Sequence, residues 1–213
     1  MLSRGIIPGR LWVAVIVTAL CAALWTPPAS PAGATIVVLG DSLCCGYGLR
    51  PEQSWVAMLQ NRVTAEGYDY EVINASIAGD TSSGGLARLP GLLQAHRPAI
   101  VIIELGGNDG LRGQPVESLR ENLRAMIELS RARGATPILA GIQIPPNYGR
   151  TYTEALRLTY PELARELGIP LVGFLMEDVA LNAALMQSDG MHPNAQGNRV
   201  MMENVWAVLA GLL

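Results

Sequence analysis

The sequence predicts a single α/β domain, a three-layer α/β/α sandwich built on a five-stranded parallel sheet of flavodoxin-like order 2-1-3-4-5. Three observations lead to that fold class, to which the strand order is added as a guess. Short runs dominated by Val and Ile, with little polar alternation, recur along the chain, as in strands covered on both faces. Between them lie stretches whose apolar residues return at three and four, the spacing of a helix with one buried face. The joins are short and punctuated by Gly, Pro and Asn, and none is long enough to be a linker to a second domain.

The first candidate strand is Thr35–Leu39. Ser54 is placed to cap a helix over Trp55–Glu66, where Trp55, Met58, Leu59 and Val63 share a face and Gly67 supplies the stop. Tyr70–Asn74 is the second strand, and Ser83–Ala95 a second helix disturbed by Pro90. Ala99–Leu105 is the third strand. Val116–Arg133 is the clearest helix, with Leu119, Leu123, Met126, Ile127 and Ser130 on one stripe and Gly134 beyond its end. Thr136–Ile142, a helix over Glu154–Leu167 closed by Gly168, and Pro170–Gly173 complete the alternation. Asn194 is placed to cap a last helix running to about Leu209.

Composition narrows the function classes. The chain has 213 residues, half of them hydrophobic and 15% charged, which suits one packed core and disfavours disorder. Its formal net charge is −3, and no basic patch invites nucleic acid. Every basic side chain is arginine. Without lysine there is neither a phosphate-binding P-loop nor a Schiff-base pyridoxal site.

Residues 1–34 read as a secretory signal peptide and residues 35–213 as the mature domain. Arg4 and Arg10 precede the apolar run Leu11–Trp25, and Ala32-Gly33-Ala34 offers a small-residue cleavage site. That run is 15 residues long, whereas a spanning helix needs about 20. An uncleaved anchor is the alternative. Lipidation at Cys21 is disfavoured by the bulk of Leu20 before it. The expected location is periplasmic or secreted. The other two cysteines, Cys44 and Cys45, are adjacent and cannot staple distant segments, so they read as small packing residues whose oxidation stays open. No His/Cys cluster suggests zinc, and no cofactor is expected.

The chemistry concentrates in a few blocks. Gly40-Asp41-Ser42-Leu43 follows the first strand, and a serine on a sharp turn after a strand is a way to present a nucleophilic hydroxyl. Asp189-Gly190-Met191-His192 lies near the other end of the chain, with an acid three residues before an imidazole. Ser42 as nucleophile, His192 as base and Asp189 as its orienter make a serine hydrolase. Of the two histidines, His96 lies in a polar link at the amino end of the third strand, which leaves His192 as the base. Asn74–Thr81 and Gly106–Asp109 also follow strands, so all these loops open on one edge of a parallel sheet. Each block admits a plainer role, as a helix cap or a turn. Asp41, Asp80 and Asp109 read as structural acids.

In order and spacing these blocks resemble the SGNH (or GDSL) hydrolases, named for a Ser, a Gly, an Asn and a His matched here by Ser42, Gly79, Asn108 and His192. The resemblance runs from about Ile36 to the last helix and is nearest the periplasmic thioesterase I / protease I / lysophospholipase branch. It is carried further by Asn74-Ala75-Ser76-Ile77, Ala87-Arg88-Leu89-Pro90, Glu104–Gly113 and Asn147-Tyr148-Gly149-Arg150. It implies an oxyanion hole formed by the backbone N–H of Ser42, the backbone N–H of Gly79 and the side-chain amide of Asn108. It also implies an exported esterase and thioesterase that takes acyl-CoA, lysophospholipid or small aryl esters, with transient lipid contact; a monomer is the default expectation. The chain departs from the branch at Cys44-Cys45, where Ser-Ala is usual. Gly110 and Gly113 are expected to bracket a loop that moves over the acyl chain. A carbohydrate O-acetylesterase on the same machinery and a non-catalytic flavodoxin-like binding domain are the competing readings.

Overall fold

The computed structural model describes residues 33–213, so the predicted signal peptide lies outside the described residues except for its last two positions. Five strands, β1 (Ala34–Gly40), β2 (Tyr70–Asn74), β3 (Ile100–Glu104), β4 (Thr136–Ala140) and β5 (Leu171–Val172), form one sheet of order β2-β1-β3-β4-β5. All four pairings are parallel, as the covered apolar runs predicted.

The helices lie on both faces. They are α1 (Ser42–Cys45), α2 (Trp55–Ala65), α3 (Ser82–His96), α4 (Gly107–Leu111), α5 (Val116–Ala132), α6 (Arg150–Leu167) and α7 (Ala195–Leu209). Alternate strand residues point to opposite layers. Ile36, Val38, Ile100 and Ile102 pack with Trp55, Leu59 and Val63 of α2 and Met201, Val205 and Leu209 of α7. Leu39, Val101 and Ile103 pack with α3, α5 and α6 through Leu89, Leu123, Met126 and Tyr160. Each such fully buried aliphatic side chain contributes about 1.5–3 kcal/mol.

Local chemistry explains most boundaries. Ser54 caps α2 by accepting the Ala57 N–H at 3.2 Å. Asn194 caps α7 by accepting the N–H groups of Gln196 and Gly197. Where the elements differ from expectation, the differences are small and physical. Thr81 caps α3, which starts at Ser82 and runs through Pro90 without a break. α6 begins at Arg150, before its apolar stripe, because its first turn is polar. β5 has only two residues, at the sheet edge. The stretch expected as a mobile loop after Asn108 includes the short helix α4, and Gly110 within it is buried against Leu156 and Ile144.

Register is what places the site. Val38 of β1 pairs with Asn74 of β2, and Gly40 pairs with Glu104 of β3. The segments leaving β1, β2 and β3 therefore start level with one another at the carboxyl edge. Two further bonds, from the Ala75 N–H to the Val38 carbonyl and from the Ile77 N–H to the Gly40 carbonyl, continue that pairing into the loop after β2.

Candidate active site

The turn after β1 is built by Asp41. Its Oδ1 accepts the Leu43 N–H at 3.0 Å, and its carbonyl accepts the N–H groups of Cys44 and Cys45, so Ser42 becomes the first residue of α1. Gly40 is required by close approach: a Cβ there would lie 2.5 Å from Cys44 Sγ and 2.9 Å from Glu104 Oε2. The indole N–H of Trp55 donates to the Leu43 carbonyl at 3.0 Å and fastens the turn to α2.

His192 arrives from a loop closed by the Met186–Pro193 bridge and by the Gln187 N–H bonding the His192 carbonyl. The three-residue spacing does two things at once. Asp189 Oδ1 accepts the N–H groups of Met191 and His192, and Oδ2 lies 2.7 Å from His192 Nδ1. The backbone N–H of His192 is the largest cause that holds the Asp189 carboxyl at about 2, below the ordinary carboxylate value; the imidazole bond comes next. An ionised Asp189 keeps the proton on Nδ1 and leaves Nε2 as an acceptor. His192 Nε2 lies 2.9 Å from Ser42 Oγ, across 150 residues of sequence.

Two further loops face the same hydroxyl. Gly79 has φ +78°, a conformation L side chains rarely adopt, and its carbonyl accepts from Arg112 at 2.9 Å. Asp80 next to it pairs with Arg88 at 2.8 Å. Asn108 is the second residue of α4, and its Nδ2 donates to Asp41 Oδ2 at 2.9 Å. That bond uses one of two amide hydrogens. Asp109 turns away from the site and accepts from the Ser82 N–H at 2.9 Å. Among the described residues, no acceptor meets the backbone N–H of Ser42 or of Gly79.

Ser42, Gly79, Asn108, Asp189 and His192 all line one cavity of about 950 Å³. Its remaining walls are largely apolar, with Ile142, Ile144, Phe174, Met176 and Leu181 among them. A volume of that order suits a ligand of drug-like size. Among the described residues, no group of three or more His, Cys, Asp or Glu side chains is gathered so as to hold a metal ion. His96 ends α3, just ahead of the amino end of β3 and away from this cavity. Cys44 and Cys45 are free thiols, and burial raises the pKa of both, which suppresses the reactive thiolate.

Sequence reasoning missed several contributors. Tyr47 stacks on His192 with ring centroids 4.5 Å apart. Gln187 donates to the carbonyls of Tyr47 and Pro193 and ties the two loops together. Asn198, on α7, accepts the Trp55 N–H at 3.0 Å and donates to the Pro193 carbonyl at 3.2 Å. Glu104 is wholly buried at the end of β3. Only Glu104 left a visible signal, as a lone acid in an apolar run.

In chemical terms the arrangement is a hydroxyl, an imidazole and a carboxylate in line, beside free N–H donors, at the mouth of an apolar cavity. Comparison with known proteins agrees in kind. The family model described as "GDSL-like Lipase/Acylhydrolase family" matches residues 38–200. The chain is 49% identical over 193 residues to "Esterase TesA" of Pseudomonas aeruginosa, covering 91% of this chain and 96% of that protein. It is 47% identical over 160 residues to "Thioesterase 1/protease 1/lysophospholipase L1" of Escherichia coli strain K12, covering 75% and 76%. A crystal structure of TesA superposes with a TM-score of 0.81 at 51% identity, covering 84% of this chain and 99% of that one.

Proposed function

The chain belongs to the GDSL-like lipase/acylhydrolase family, and from that premise we propose how it works: as an exported esterase and thioesterase that turns over through an acyl-serine intermediate. It is a serine hydrolase acting on small-molecule carboxylic esters and thioesters. The proposal assigns the roles. Ser42 Oγ attacks the acyl carbonyl while His192 Nε2 takes its proton. Asp189 holds the imidazole tautomer and stabilises the imidazolium. The N–H groups of Ser42 and Gly79 and the free hydrogen of the Asn108 amide receive the oxyanion. The proton on His192 then passes to the leaving alcohol or thiol. Water, deprotonated by the same imidazole, attacks the acyl-enzyme and releases the acid.

One observation carries this reading: the unbroken line from Ser42 Oγ through the His192 ring to Asp189, with contacts of 2.9 and 2.7 Å. The apolar walls favour acyl chains, so the proposed substrates include acyl-CoA thioesters, lysophospholipids and aryl esters, with transient contact to lipid. We also propose that residues 1–34 are a signal peptide, that the enzyme works in the periplasm or outside the cell, and that it is a monomer. The basic-then-apolar pattern of the first 34 residues supports the export reading.

The test is a panel of acyl thioesters, lysophospholipids and p-nitrophenyl esters of graded length, run on the wild-type chain and on Ser42→Ala. We expect Ser42→Ala to lose about 10⁶-fold in kcat on every substrate while keeping its fold. Turnover retained in that variant overturns the acyl-serine mechanism. Activity confined to acetyl esters points instead to an O-acetylesterase.

A further inference from the structure

Behind the turn that carries Ser42 lie two acids, Glu104 and Asp41, that take no chemical step in the proposed reaction. Glu104 ends β3 directly opposite Gly40, and its side chain is wholly buried. Its Oε2 accepts the Asp41 N–H at 3.3 Å and the Cys44 thiol at 3.0 Å. Its Oε1 is buried and meets no donor among the described residues. An ionised carboxylate would leave that oxygen with uncompensated charge. Burial first, and then the charge of Asp41, push the Glu104 carboxyl well above the usual carboxylate range, so it stands as a neutral acid. Its hold on Asp41 is therefore the bond that Oε2 accepts from the Asp41 backbone N–H. The other titratable groups facing the pair are the Cys44 thiol and the Tyr160 phenol about Glu104, and the His192 imidazole beyond Asp41.

Asp41 is itself only 2% exposed, and both of its oxygens are committed: Oδ1 to the Leu43 N–H and Oδ2 to the Asn108 amide. The plane of that carboxylate therefore sets the plane of the amide. We propose that Glu104 is a positioning residue for ester hydrolysis: through Asp41 it fixes the Asn108 amide so that its second N–H stays aimed at the oxyanion. The inference rests on the reading above, in which Asn108 is an oxyanion donor. A neutral acid that accepts the Asp41 N–H suits the task. It restrains Asp41 from behind without adding a second negative charge near the place where one develops during the reaction.

The experiment is a double-mutant cycle. We would measure kcat and KM on a p-nitrophenyl ester for Glu104→Met, Asn108→Ala and the double variant, with thermal unfolding recorded for each and Ser42→Ala as the blank. Glu104→Met should lower kcat by about 10–100-fold with KM within about twofold, a part of what losing an oxyanion donor outright would cost. The double variant should be no slower than Asn108→Ala alone, since both losses act through one amide. Glu104→Gln keeps an oxygen of the same reach to accept the Asp41 N–H and should recover at least about tenfold of the lost rate. Losses that multiply in the double variant, or a folded Glu104→Met with unchanged kcat, overturn the proposal. If Glu104→Met lacks a cooperative transition, Asp41→Asn replaces it in the cycle, and multiplying losses there overturn it equally. Turnover surviving in Ser42→Ala would instead overturn the nucleophile assignment, so the two failures are distinguishable.

Discussion

Asn108 divides its amide between a structural bond and an open face: one hydrogen goes to Asp41 and the other is left for the cavity. In the proposed reaction Asn108→Ala lowers kcat by about 10²–10³ and leaves KM nearly unchanged, as steady-state kinetics on an aryl ester would show. An equal effect on both constants would mark a ground-state contact. The acids near Ser42 make opposite demands on pH. Burial raises Asp41 to about 6, so the folded state favours its protonated form, and this cost to stability grows as pH rises from about 4 through 6. Asp189 is held at about 2, so its contribution is present above the ordinary carboxylate value and is lost as pH falls from about 4 toward 2. Urea midpoints should therefore show wild type gaining on Asp189→Asn between about pH 2 and 4, and losing ground to Asp41→Asn between about pH 4 and 6. The reverse order would show that the two environments are misassigned. Ser42, Asp189 and His192 were legible in the sequence because their chemistry depends on residue type and short spacing. Tyr47 was not, since an aromatic beside glycines in a loop says nothing of the ring it stacks on.

Among the elements, α2 shows how a cap does more than start a helix. Ser54 accepts the Ala57 N–H and donates to the Pro51 carbonyl, and so holds Trp55 where its indole reaches the nucleophile turn. Ser54→Ala should cost about 1 kcal/mol by urea unfolding. A variant as stable as wild type would deny the cap its role. The element pattern was readable because it rests on periodicity: the covered strands and the apolar stripe of α5 follow from apolar spacing, whereas the strand order was supplied by analogy with flavodoxin-like sheets and agrees with the one observed. α4 was not readable. Gly107, Asn108, Asp109 and Gly110 are poor helix formers, and that turn of helix is held by tertiary bonds such as those between Asp109 and Ser82. The start of α6 was missed for a related reason, because Arg150 to Thr153 carry no apolar period.

Across the whole molecule, the site depends on joining two ends of the chain. The Ser42 turn is held by the Trp55 indole, the Trp55 backbone by Asn198, and Asn198 in turn holds the Pro193 carbonyl next to His192. Asn198 is 3% exposed, and nothing in its sequence surroundings marks it as a bridge. Asn198→Ala leaves the buried Trp55 N–H unpaired and should destabilise the fold by about 1–3 kcal/mol. It should also lower kcat/KM by more than Val63→Ala does, although that core truncation costs at least as much stability. Equal activity in the two variants would mean that the bridge supports the fold alone.

Only two tryptophans fall within the described residues, and they report on different things. Trp206 lies under Arg62 on the outer side of α7, whereas the Trp55 indole is hydrogen-bonded to the residue following the nucleophile. Through that bond, acylation of Ser42 is expected to change the emission of Trp55. Stopped-flow emission from residues 35–213 carrying Trp206→Phe, in which Trp55 is the one tryptophan left, should then time the rise and decay of the covalent intermediate for natural thioesters and artificial esters alike, and a flat trace during turnover would deny Trp55 that role.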